Sequence, residues 1–368
     1  MGYHSQLPYQ IALTLIEGIG PVRAKSLLAY CGSAEQIFKT KKSDLVKIPD
    51  IGEVAGRAVS SADVMHAAEK EARFVEEKNI VPLFFSDKNY PSRLKLCDDG
   101  PVLLYTRGKM DLNVPRVISI VGTRSATDYG KSFCESLLKD LQPYNPLVLS
   151  GLAFGVDISA HRAALSNKLQ TVACVAHGLN KIYPPAHRST AVEMLNNGGL
   201  VSEFVSDTQM SPELFPMRNR LIAGMADCTI VIETDVKGGS VITAQLANGY
   251  GREVFALPGR HSDKFSAGCN LLIRKNIAAI LTSAAELANY MNWDLEEGGL
   301  MPKQLPLFAD LSEEELAIIK VLQEKGRTPI DVLSLSSNQP LGKLSGVLLE
   351  LEFKGMVRSL PGKLYDLV

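Results

Sequence analysis

The chain has 368 residues, more than a single hydrophobic core usually holds, so its length predicts two or three domains. Hydrophobic residues make up 46% and charged residues 21% of the chain, a balance that excludes a long disordered protein. The formal net charge is −1, from 39 basic and 40 acidic side chains, so any nucleic-acid site must be a local patch.

Six cysteines are scattered along the chain, without a Cys-x-x-Cys pair or a Cys/His cluster at zinc-ligand spacing. This spacing argues against a disulfide scaffold and a structural zinc site, and we expect no metal and no cofactor. No window approaches the roughly 20 apolar residues of a spanning helix, and the first residues lack the pattern of a secretory signal. We therefore expect a cytoplasmic protein with no membrane segment.

Residues 1–79 predict a small helical domain with two glycine-bearing turns, LTLIEGIGPVRAKSLL and LVKIPDIGEVAGRAV. Gly18 and Gly20 shape the first turn, and Pro21 suits a first helical position, so N–H groups at the helix start could hold a phosphate. This turn is similar to the helix-hairpin-helix element of DNA-binding proteins. The second copy has Asp50 in place of the first glycine, and its carboxylate would repel a phosphate. A helical packing domain that uses these turns only as corners is an equal alternative.

Residues 80–290 predict an α/β domain with a doubly wound, mostly parallel sheet. Short apolar runs alternate there with amphipathic segments, and many runs carry β-branched residues with little alternation, as strands covered on both faces do. The predicted strands are VPLFF, VLLYT, VISIV, PLVLSG, TVACVA, LVSEF, CTIVIET and EVFALPG. Helices are predicted to begin near Gly130, Asp157, His187, Phe215, Ser240 and Cys269.

Residues 291–311 mix glycine, proline and acids without periodicity and predict a linker. In the third domain, 312–368, Ser312 and Glu315 form a capping box, and two short strands flank Pro361-Gly362. Helices that end in a hairpin indicate a winged-helix-like domain. Its candidate recognition helix, LGKLSGVLLELEFKG, carries glutamates beside its lysines, which favours a protein contact or a structural role over DNA reading.

Ligands of an open parallel sheet bind at the carboxyl ends of the strands, where three loops of this sequence are predicted to converge. The first loop is Gly122-Thr123-Arg124 after VISIV, and a glycine, a hydroxyl and a guanidinium at a helix start suit a phosphate. The string VGTRSA lacks the later glycines of the dinucleotide fingerprint, and Ser125 replaces the leading glycine of a Walker A loop. NAD and ATPase sites are therefore disfavoured.

The second loop lies in SGLAFGVDISAH, where Ser150 and Gly151 bring backbone to the same sheet edge and Asp157 is expected to cap the next helix. His161 is interpreted as a partly buried structural histidine, because no serine or cysteine nucleophile motif accompanies it. The two histidines of HGLNKIYPPAH are expected to organise their own loop.

The third cluster is basic and spans FPMRNRLIAG, ETDVKGGSVITA, REVFALPGR and GCNLLIRKN. Its basic side chains are Arg218, Arg220, Lys237, Arg252, Arg260, Arg274 and Lys275. Gly238-Gly239-Ser240 can form a backbone anion nest, and Phe215 and Tyr183 are candidate platforms for unpaired bases. Their convergence at one sheet edge predicts a groove for several phosphates of one strand.

Seven ordered strings resemble the DNA-processing protein A family: GTRSATDYG, SGLAFGVDISAH, HGLNKIYPPAHR, FPMRNRLIAG, KGGSVITA, REVFALPGR and GCNLLI. The resemblance implies an extended Rossmann-like fold that binds and protects single-stranded DNA. It also implies a homodimer that helps load the RecA recombinase onto DNA during natural transformation and recombination. No catalytic turnover is implied.

Carried onto this sequence, the resemblance and the loop chemistry together give one DNA-binding set. Its members are Gly122, Thr123, Arg124, Ser150, Gly151, Phe215, Arg218, Asn219, Arg220, Lys237, Gly238, Gly239, Ser240 and Asn270. Gly239 and Asn180 depart from the family pattern, which has serine and aspartate at these places in many members. We expect alanine at Arg124 or Arg218 to weaken DNA binding without unfolding the protein, as for exposed phosphate contacts.

One alternative is a nucleotide-binding phosphoribohydrolase of the lysine-decarboxylase-like group. Its PGGxGTxxE loop corresponds here to KGGSVITAQ, in which Gln245 replaces the glutamate and Ile242 the threonine. A DNA-bending scaffold without a RecA contact is a further alternative. The segment RKNIAAILTSAAELANYM is a candidate dimer surface, with ordinary helix packing as its alternative.

Overall fold

A computed structural model describes most of the chain, namely residues 3–49, 51–52, 62–293, 311–360 and 362–367. The second glycine-bearing turn with Asp50, the predicted linker and Pro361 lie wholly or mainly outside these residues. No helix of the described residues is long and apolar enough to cross a membrane.

The contacts divide the chain into two compact units, 1–250 with 254–282, and 251–253 with 283–368. The first unit opens with helices and continues into the large sheet. Its opening helices are α1 Tyr3–Leu15, α2 Pro21–Cys31, α3 Ala34–Lys39, α4 Lys42–Leu45 and α5 Ala62–Glu77.

The first glycine-bearing turn forms as predicted between α1 and α2. Gly18 has a φ of +79°, a left-handed conformation that favours glycine, and Pro21 begins α2 directly after Gly20. The α1 side chain Ile11 is buried in one continuous core with Tyr105 of the sheet. The opening helices therefore share their core with the sheet.

Each of the eight apolar runs contains a strand. The strands of the sheet are β1 Val81–Phe84, β2 Leu103–Arg107, β3 Val117–Gly122, β4 Leu147–Ser150, β5 Thr171–Cys174, β6 Gly198–Ser202, β7 Cys228–Ile232, β8 Glu253–Ala256 and β9 Ala279–Ile280. The helices of this region are α6 Ser92–Lys95, α7 Asp128–Asp140, α8 Val156–Ser166, α9 Arg188–Met194, α10 Leu214–Met225, α11 Gly239–Gly249 and α12 Ala267–Arg274. The six predicted helix starts are confirmed to within two residues.

The sheet is doubly wound and mostly parallel, as predicted. Its strand order is β1-β2-β6-β5-β4-β3-β7-β8-β9, so the chain runs outward from β3 to β6 and then returns to β7 on the other side of β3. The register of β3 and β7 pairs Ile118 with Cys228 and Gly122 with Ile232. At one edge of this sheet, the pairings of β1 with β2 and of β2 with β6 are antiparallel. The topological switch point therefore lies between β3 and β7.

Helices cover both faces of the sheet. The core on one face joins the opening helices to α8 and α9 through side chains such as Ile158 and Met194. The core on the other face joins α10, α11 and α12 through side chains such as Leu221, Ala244 and Leu272. Strands buried on both faces explain the nearly continuous apolar runs.

The second unit has a hydrophobic core of its own. Its elements are α13 Ala284–Tyr290, α14 Glu313–Lys325, β10 Thr328–Pro329, α15 Ile330–Ser337, α16 Leu341–Phe353, β11 Val357–Leu360 and β12 Leu364–Leu367. The predicted capping box is confirmed: Ser312 Oγ accepts from the Glu315 N–H, and Glu315 Oε2 accepts from the Ser312 N–H. β12 pairs with both β11 and β10, which completes a small antiparallel sheet behind three helices.

Candidate functional site

A cleft of about 330 Å³ opens at the carboxyl ends of β3 and β7, at the switch point of the sheet. Its lining comes from the loops after β3, β4 and β7 and from the first turns of α10 and α11. Nine of the predicted residues line it, namely Gly122, Thr123, Arg124, Phe215, Arg218, Asn219, Gly238, Gly239 and Ser240. The structure therefore brings these predicted residues together in one cleft, and their role in binding stays a prediction.

The loop after β3 is held rigidly up to Arg124. The Thr123 N–H donates to the Glu233 carbonyl at 2.7 Å, and the Val156 N–H donates to the Thr123 carbonyl at 3.1 Å. A Cβ on Gly122 would lie 2.0 Å from the Ile232 carbonyl oxygen, so the neighbouring strand leaves room only for glycine. Arg124 follows this anchored backbone with its side chain exposed.

Glu233 is a structural residue of the cleft that the sequence reasoning missed. It is buried directly after β7, in a left-handed conformation with a φ of +55°. Its carboxylate accepts from the Thr127 N–H at 2.8 Å and from the Thr127 hydroxyl, which itself caps α7. Glu233 thus ties the two loops of the cleft together. An acid at the end of a fully apolar strand was the available signal.

The opposite wall of the cleft is the start of α11. The Gly238 N–H donates to the Asp235 carbonyl at 2.8 Å, and Ser240 Oγ donates to Thr234 Oγ1 at 2.7 Å. The first N–H groups of a helix have no intrahelical acceptor and favour an anion. Gly239 has open space around its Cβ position, so the family's serine would fit there and this departure leaves the wall intact.

Arg218 lies in the floor of the cleft and differs from our expectation of an exposed phosphate contact. It is only 5% exposed, and its Nη1 donates to the carbonyls of Gly151, at 2.6 Å, and Cys174. Burial lowers the pKa of Arg218, and the nearby Asp157 carboxylate opposes that effect. The expected alanine phenotype, weaker binding without unfolding, does not fit a guanidinium in this position.

Asp157 and Ser150 also lie beneath the cleft surface. Asp157 does not cap α8, whose N-cap is Gly155; instead its Oδ2 accepts from the Ala153 N–H at 3.2 Å. Burial raises the pKa of Asp157, against the effect of the positive charge of Arg218. Ser150 is fully buried and donates to the Ile120 carbonyl at 2.6 Å. These residues brace the loop after β4 from below.

Arg220 and Asn270 lie away from the cleft. The Arg220 guanidinium donates to the Glu203 carboxylate and to the Asp99 carbonyl, all in a buried environment. The Asn270 side chain donates to the Gly259 carbonyl at 2.9 Å and accepts from the Gly259 N–H at 3.3 Å. Both side chains stabilise the surrounding loops. The predicted groove residues Arg252, Arg260, Arg274 and Lys275 are likewise absent from the described lining.

The local charge of the cleft is positive. The Asp235 carboxylate at its rim lies 3.7 Å from Lys264 Nζ, and Asp157 is offset by Arg218. Arg124 lines the cleft with its side chain exposed, and Lys237 is exposed in the loop that carries Gly238. Because Asp157 and Asp235 have nearby cations, Arg124 and Lys237 leave an excess of positive charge at the exposed rim, opposed from below by the buried Glu233 carboxylate.

A smaller cavity of about 40 Å³ adjoins the cleft and shares Arg124, Phe215 and Arg218 with it. Tyr183 lines this cavity, as does Phe154, an aromatic residue that the sequence reasoning overlooked although it stands in a quoted loop string. The rings of Phe154 and Tyr183 are about half exposed. The Arg124 guanidinium lies over the Phe215 ring, 5.4 Å from its centroid.

The histidines are structural, as interpreted from the sequence, and His161 is buried fully rather than partly. Its Nδ1 lies 2.7 Å from Thr171 Oγ1, and burial lowers its pKa to about 3, so the ring is neutral. His177 Nε2 accepts from the Tyr183 N–H at 3.2 Å, and His187 Nδ1 lies 2.8 Å from the Leu152 carbonyl. Among the described residues, no cluster of His, Cys, Asp and Glu could hold a metal ion.

Comparison with known proteins gives the family. The model of the DNA recombination-mediator protein A family matches residues 82–292, more than half of the chain. The chain belongs to this family. The family's winged helix domain model matches residues 302–363, and a SAM-like helix-hairpin-helix tandem matches residues 11–58. The predicted accessory domains are thereby confirmed in kind, while their boundaries stay predictions.

Members of the family from distant bacteria are similar over most of their length. The Protein Smf of Escherichia coli strain K12 is 33% identical over 276 residues, 74% of this chain and 74% of that protein. The DNA processing protein DprA of Streptococcus pneumoniae strain R6 is 33% identical over 276 residues, 69% of this chain and 97% of that protein.

Two solved structures share the fold. The X-ray structure of DprA from Streptococcus pneumoniae aligns with a TM-score of 0.63 and 29% identity, covering 77% of this chain and 97% of that one. A Helicobacter pylori DprA structure, described as giving insights into a single-stranded DNA binding mode, aligns with a TM-score of 0.52 and 30% identity. It covers 57% of this chain and 94% of that one.

Proposed function

We propose that the protein binds single-stranded DNA in the cleft at the switch point and presents it, without catalytic turnover, to the RecA recombinase during DNA uptake and recombination. The observation that carries this proposal is the convergence of an exposed guanidinium, a helix start and an aromatic ring, contributed by Arg124, Gly238 to Ser240 and Phe215. Membership of the recombination-mediator family supports it. So does the single-stranded DNA binding of the Helicobacter pylori relative.

The chemistry of the cleft suits one strand. The N–H groups at the start of α11, the Thr123 hydroxyl and the Arg124 guanidinium can neutralise and orient phosphates. The rings of Phe215 and Tyr183 offer faces for unpaired bases, which a duplex keeps stacked inside. A single strand can therefore use both parts of the site, whereas a duplex can use only the phosphate part.

Binding without turnover agrees with the side chains at hand. Ile242 and Gln245 occupy the α11 positions where the phosphoribohydrolase loop carries a threonine and a glutamate. Asp157 is committed to Arg218 beneath the surface, and His161 is neutral and fully buried. We further propose that the protein acts as a homodimer, since a mediator gains by presenting neighbouring strands to one growing filament.

The decisive experiment is fluorescence anisotropy of a labelled oligothymidine and of a matching duplex over a salt series. We expect selective binding of the single strand, with an affinity that falls by about 0.7 log units per contacted phosphate per decade of salt. A hydrolysis assay with nucleoside monophosphates on the same preparation should release no base. A flat salt response, or released base, would contradict the proposal.

The RecA step has its own measurement. RecA filament formation on single-stranded DNA should start sooner when the protein is present, and the acceleration should disappear in a variant that no longer binds oligothymidine. If filament growth is unchanged while DNA binding is intact, the protein is a single-strand-binding scaffold and the RecA part of the proposal is wrong.

A further inference from the structure

The loop between α6 and β2 contacts both helices that form the walls of the cleft. These helices, α10 and α11, have their first turns at the cleft. Farther along α10, the Arg220 guanidinium donates to the main-chain carbonyl of Asp99. Directly after α11, the Tyr250 hydroxyl lies 2.8 Å from both carboxylate oxygens of Asp99. Asp99 therefore holds both helices at points away from the cleft, and we call residues 97–99 the tie loop.

The tie loop and the two helices are also packed closely together. A Cβ on Gly224, in the last turn of α10, would lie 2.8 Å from Leu94 Cδ1, 3.0 Å from Cys97 Sγ and 3.7 Å from Tyr250 Cε2. Cys97 belongs to the tie loop, and Tyr250 is the C-cap of α11. The end of α10 thus lies against both of them, and close packing leaves these elements little room to shift. Packing and polar bonds therefore fix the same junction.

The tie loop is itself held in place. A Cβ on Gly100, the next residue, would lie 2.6 Å from the Leu94 carbonyl oxygen, so this tight turn requires glycine. The Gly100 N–H donates to the Cys97 carbonyl at 3.0 Å. From the opening helices, Lys25 Nζ donates to the Cys97 carbonyl at 2.8 Å and to the Asp98 carbonyl at 2.9 Å. A loop that is fixed from a third side can serve as a common anchor for two helices.

The two bonds to Asp99 are of a strong kind. Hydrogen bonds that involve an ionised group are about twice as strong as those between neutral groups. Arg220 supplies a guanidinium to the main-chain carbonyl, and Tyr250 donates to the carboxylate. Burial, followed by the bond to Asp99, raises the pKa of Tyr250, so its hydroxyl stays a donor. The attachment of both helices is therefore stable near neutral pH.

The position of the tie loop gives it leverage over the cleft. Helix α11 has 11 residues, so its start at the cleft lies about 16 Å from its tied end at 1.5 Å per residue. A rotation of about 5° about the tied end moves the helix start by about 1.4 Å. That displacement is larger than the range over which hydrogen-bond distances vary. A loosened tie would therefore misplace the N–H groups of Gly239 and Ser240 relative to Phe215.

We propose that the tie loop sets the separation between the starts of α10 and α11, and that Asp99 and Tyr250 are positioning residues for the binding of single-stranded DNA. This inference rests on the proposed function and adds to it residues that do not touch the strand. It also gives a role to Arg220, which the resemblance placed in the DNA-binding set: Arg220 acts by fixing α10, and not by contact with a phosphate.

Tyr250→Phe tests the tie with a minimal change, because it removes one hydroxyl and keeps the ring that packs against α10. The Kd for oligothymidine, measured by fluorescence anisotropy, should rise about fivefold, as for the loss of one side-chain hydrogen bond. The salt slope should stay at the wild-type value, since no phosphate contact is removed. An unchanged Kd, or a smaller salt slope, would overturn the proposal.

Two changes at Asp99 separate positioning from general damage. Asp99→Asn keeps an oxygen acceptor for the Tyr250 hydroxyl, so the Kd should stay within about twofold of the wild type. Asp99→Ala removes the acceptor and should act like Tyr250→Phe. Because both changes break the same bond, the double variant should bind no more weakly than either single one. Additive effects, or a failure of Asp99→Asn to retain binding, would overturn the proposal.

Tyr290→Phe is the matched control. The Tyr290 hydroxyl also bonds to an acid, at 3.3 Å from Glu253 Oε2, but both residues belong to the second unit. Its removal should leave the Kd at the wild-type value. An increase equal to that of Tyr250→Phe would overturn the assignment of the effect to the tie loop.

Spin labels measure the separation of the helix starts without DNA. Met217→Cys on α10 and Ile242→Cys on α11 provide labelling sites, since the native side chains are 44% and 43% exposed. Double electron–electron resonance should give a narrow distance distribution with the intact tie and a broader one after Tyr250→Phe. The wild type labelled in parallel gives the background of the native cysteines, which are buried or half-buried. Equal distributions would overturn the proposal.

The two kinds of measurement fail in different ways. A wild type that does not bind oligothymidine would contradict the proposed function, while the distance distributions would still decide whether the tie loop sets the cleft. Intact DNA binding with a Kd that does not respond to Tyr250→Phe would leave the proposed function in place and overturn the role of the tie loop.

Discussion

Arg124 and Arg218 both line the cleft, but their surroundings give them different roles. Arg124 is exposed at the end of an anchored loop, so it can move onto an incoming phosphate. Arg218 is buried under the floor, where two carbonyl oxygens accept its hydrogen bonds and the Asp157 carboxylate offsets its charge. We propose that Arg124 contacts the ligand, whereas Arg218 supports the loop after β4.

Alanine substitutions should separate these roles. Arg124→Ala should leave the free energy of unfolding within about 0.5 kcal/mol and lower the salt slope of oligothymidine binding by about 0.7. Arg218→Ala should lower the free energy of unfolding by about 3 kcal/mol, because it leaves a buried carboxylate uncompensated. Urea denaturation and anisotropy on both variants measure the two effects.

Arg73→Ala is the control for the lost charge, since Arg73 is exposed on α5, away from the cleft. It should change neither stability nor the salt slope. Wild-type stability in Arg218→Ala would contradict the supporting role, and a wild-type salt slope in Arg124→Ala would remove Arg124 from the site.

The sequence predicted which residues lie at the cleft better than it predicted whether their side chains are exposed or buried. A glycine next to a hydroxyl and a guanidinium after an apolar strand was enough to find Gly122, Thr123 and Arg124. Whether an arginine is exposed depends on what packs over it, and a motif such as FPMRNRLIAG gives no sign of that. Arg218 and Arg220 face different surroundings for this reason, although only one residue separates them.

At the scale of elements, two arginine side chains attach α10 to the sheet at two different places. Arg218, one turn into the helix, bonds to the ends of β4 and β5, and Arg220 pairs with Glu203 just after β6. Burial raises the pKa of Glu203 from its ordinary value of 4.5 to about 7, against the lowering effect of Arg220. The attachment through Arg220 and Glu203 is therefore sensitive to pH.

Glu203→Gln should expose this sensitivity. Between pH 4.5 and about 7 the folded chain keeps a proton that the unfolded chain has lost, so this group makes stability fall as the pH rises. Across that interval, the free energy of unfolding of the wild type should fall by about 3 kcal/mol relative to that of Glu203→Gln, because glutamine does not titrate. Denaturant unfolding of both proteins at several pH values measures the difference.

Taking the difference between the two proteins removes the contributions of other groups such as His161, whose lowered pKa acts in the opposite direction. Glu350→Gln, at an exposed position on α16, serves as the control and should follow the wild type. A difference that does not vary with pH would contradict a raised pKa for Glu203.

The strands were predictable because each is an apolar run with turn residues at its ends, and burial on both faces makes such runs continuous. β9 was not predicted, since Ala279 and Ile280 are too short a run to give a periodic signal. The antiparallel edge was also missed, because an apolar run does not reveal the direction of its neighbours. The presence of the strands could therefore be predicted from the sequence, whereas their order and direction in the sheet could be learned only from the structure.

At the scale of the molecule, the two units differ in how their cores are built. The opening helices share a core with Phe84, Leu103 and Tyr105 of the sheet. Two polar contacts reinforce this: Glu71 accepts from the Ser206 N–H at 2.9 Å, and Lys25 Nζ donates to the Cys97 carbonyl at 2.8 Å. The core of the second unit, by contrast, is made from residues of that unit alone.

Removing the opening helices should therefore affect the stability of the sheet more than removing the winged-helix domain. Removal of residues 1–79 uncovers the apolar face of β1 and β2 and should lower the melting temperature of the remaining protein by roughly 10 °C or more. Removal of residues 311–368 should leave the melting of the first unit nearly unchanged. Differential scanning calorimetry of both truncated chains measures the two melting temperatures. Equal effects would show that the opening helices are no more integral to the sheet than the winged-helix domain.

The contact between Arg124 and Phe215 has a consequence for the kinetics of binding. The guanidinium already covers the ring before any strand arrives, so the stacking surface is occupied by a side chain of the protein itself. A base that stacks on the Phe215 ring would displace the Arg124 guanidinium, and a phosphate of the same strand could then bind that guanidinium. In the proposed function, binding of a strand would then be an exchange of partners, and the same arginine would return to the ring when the strand leaves, which would favour rapid release of the DNA.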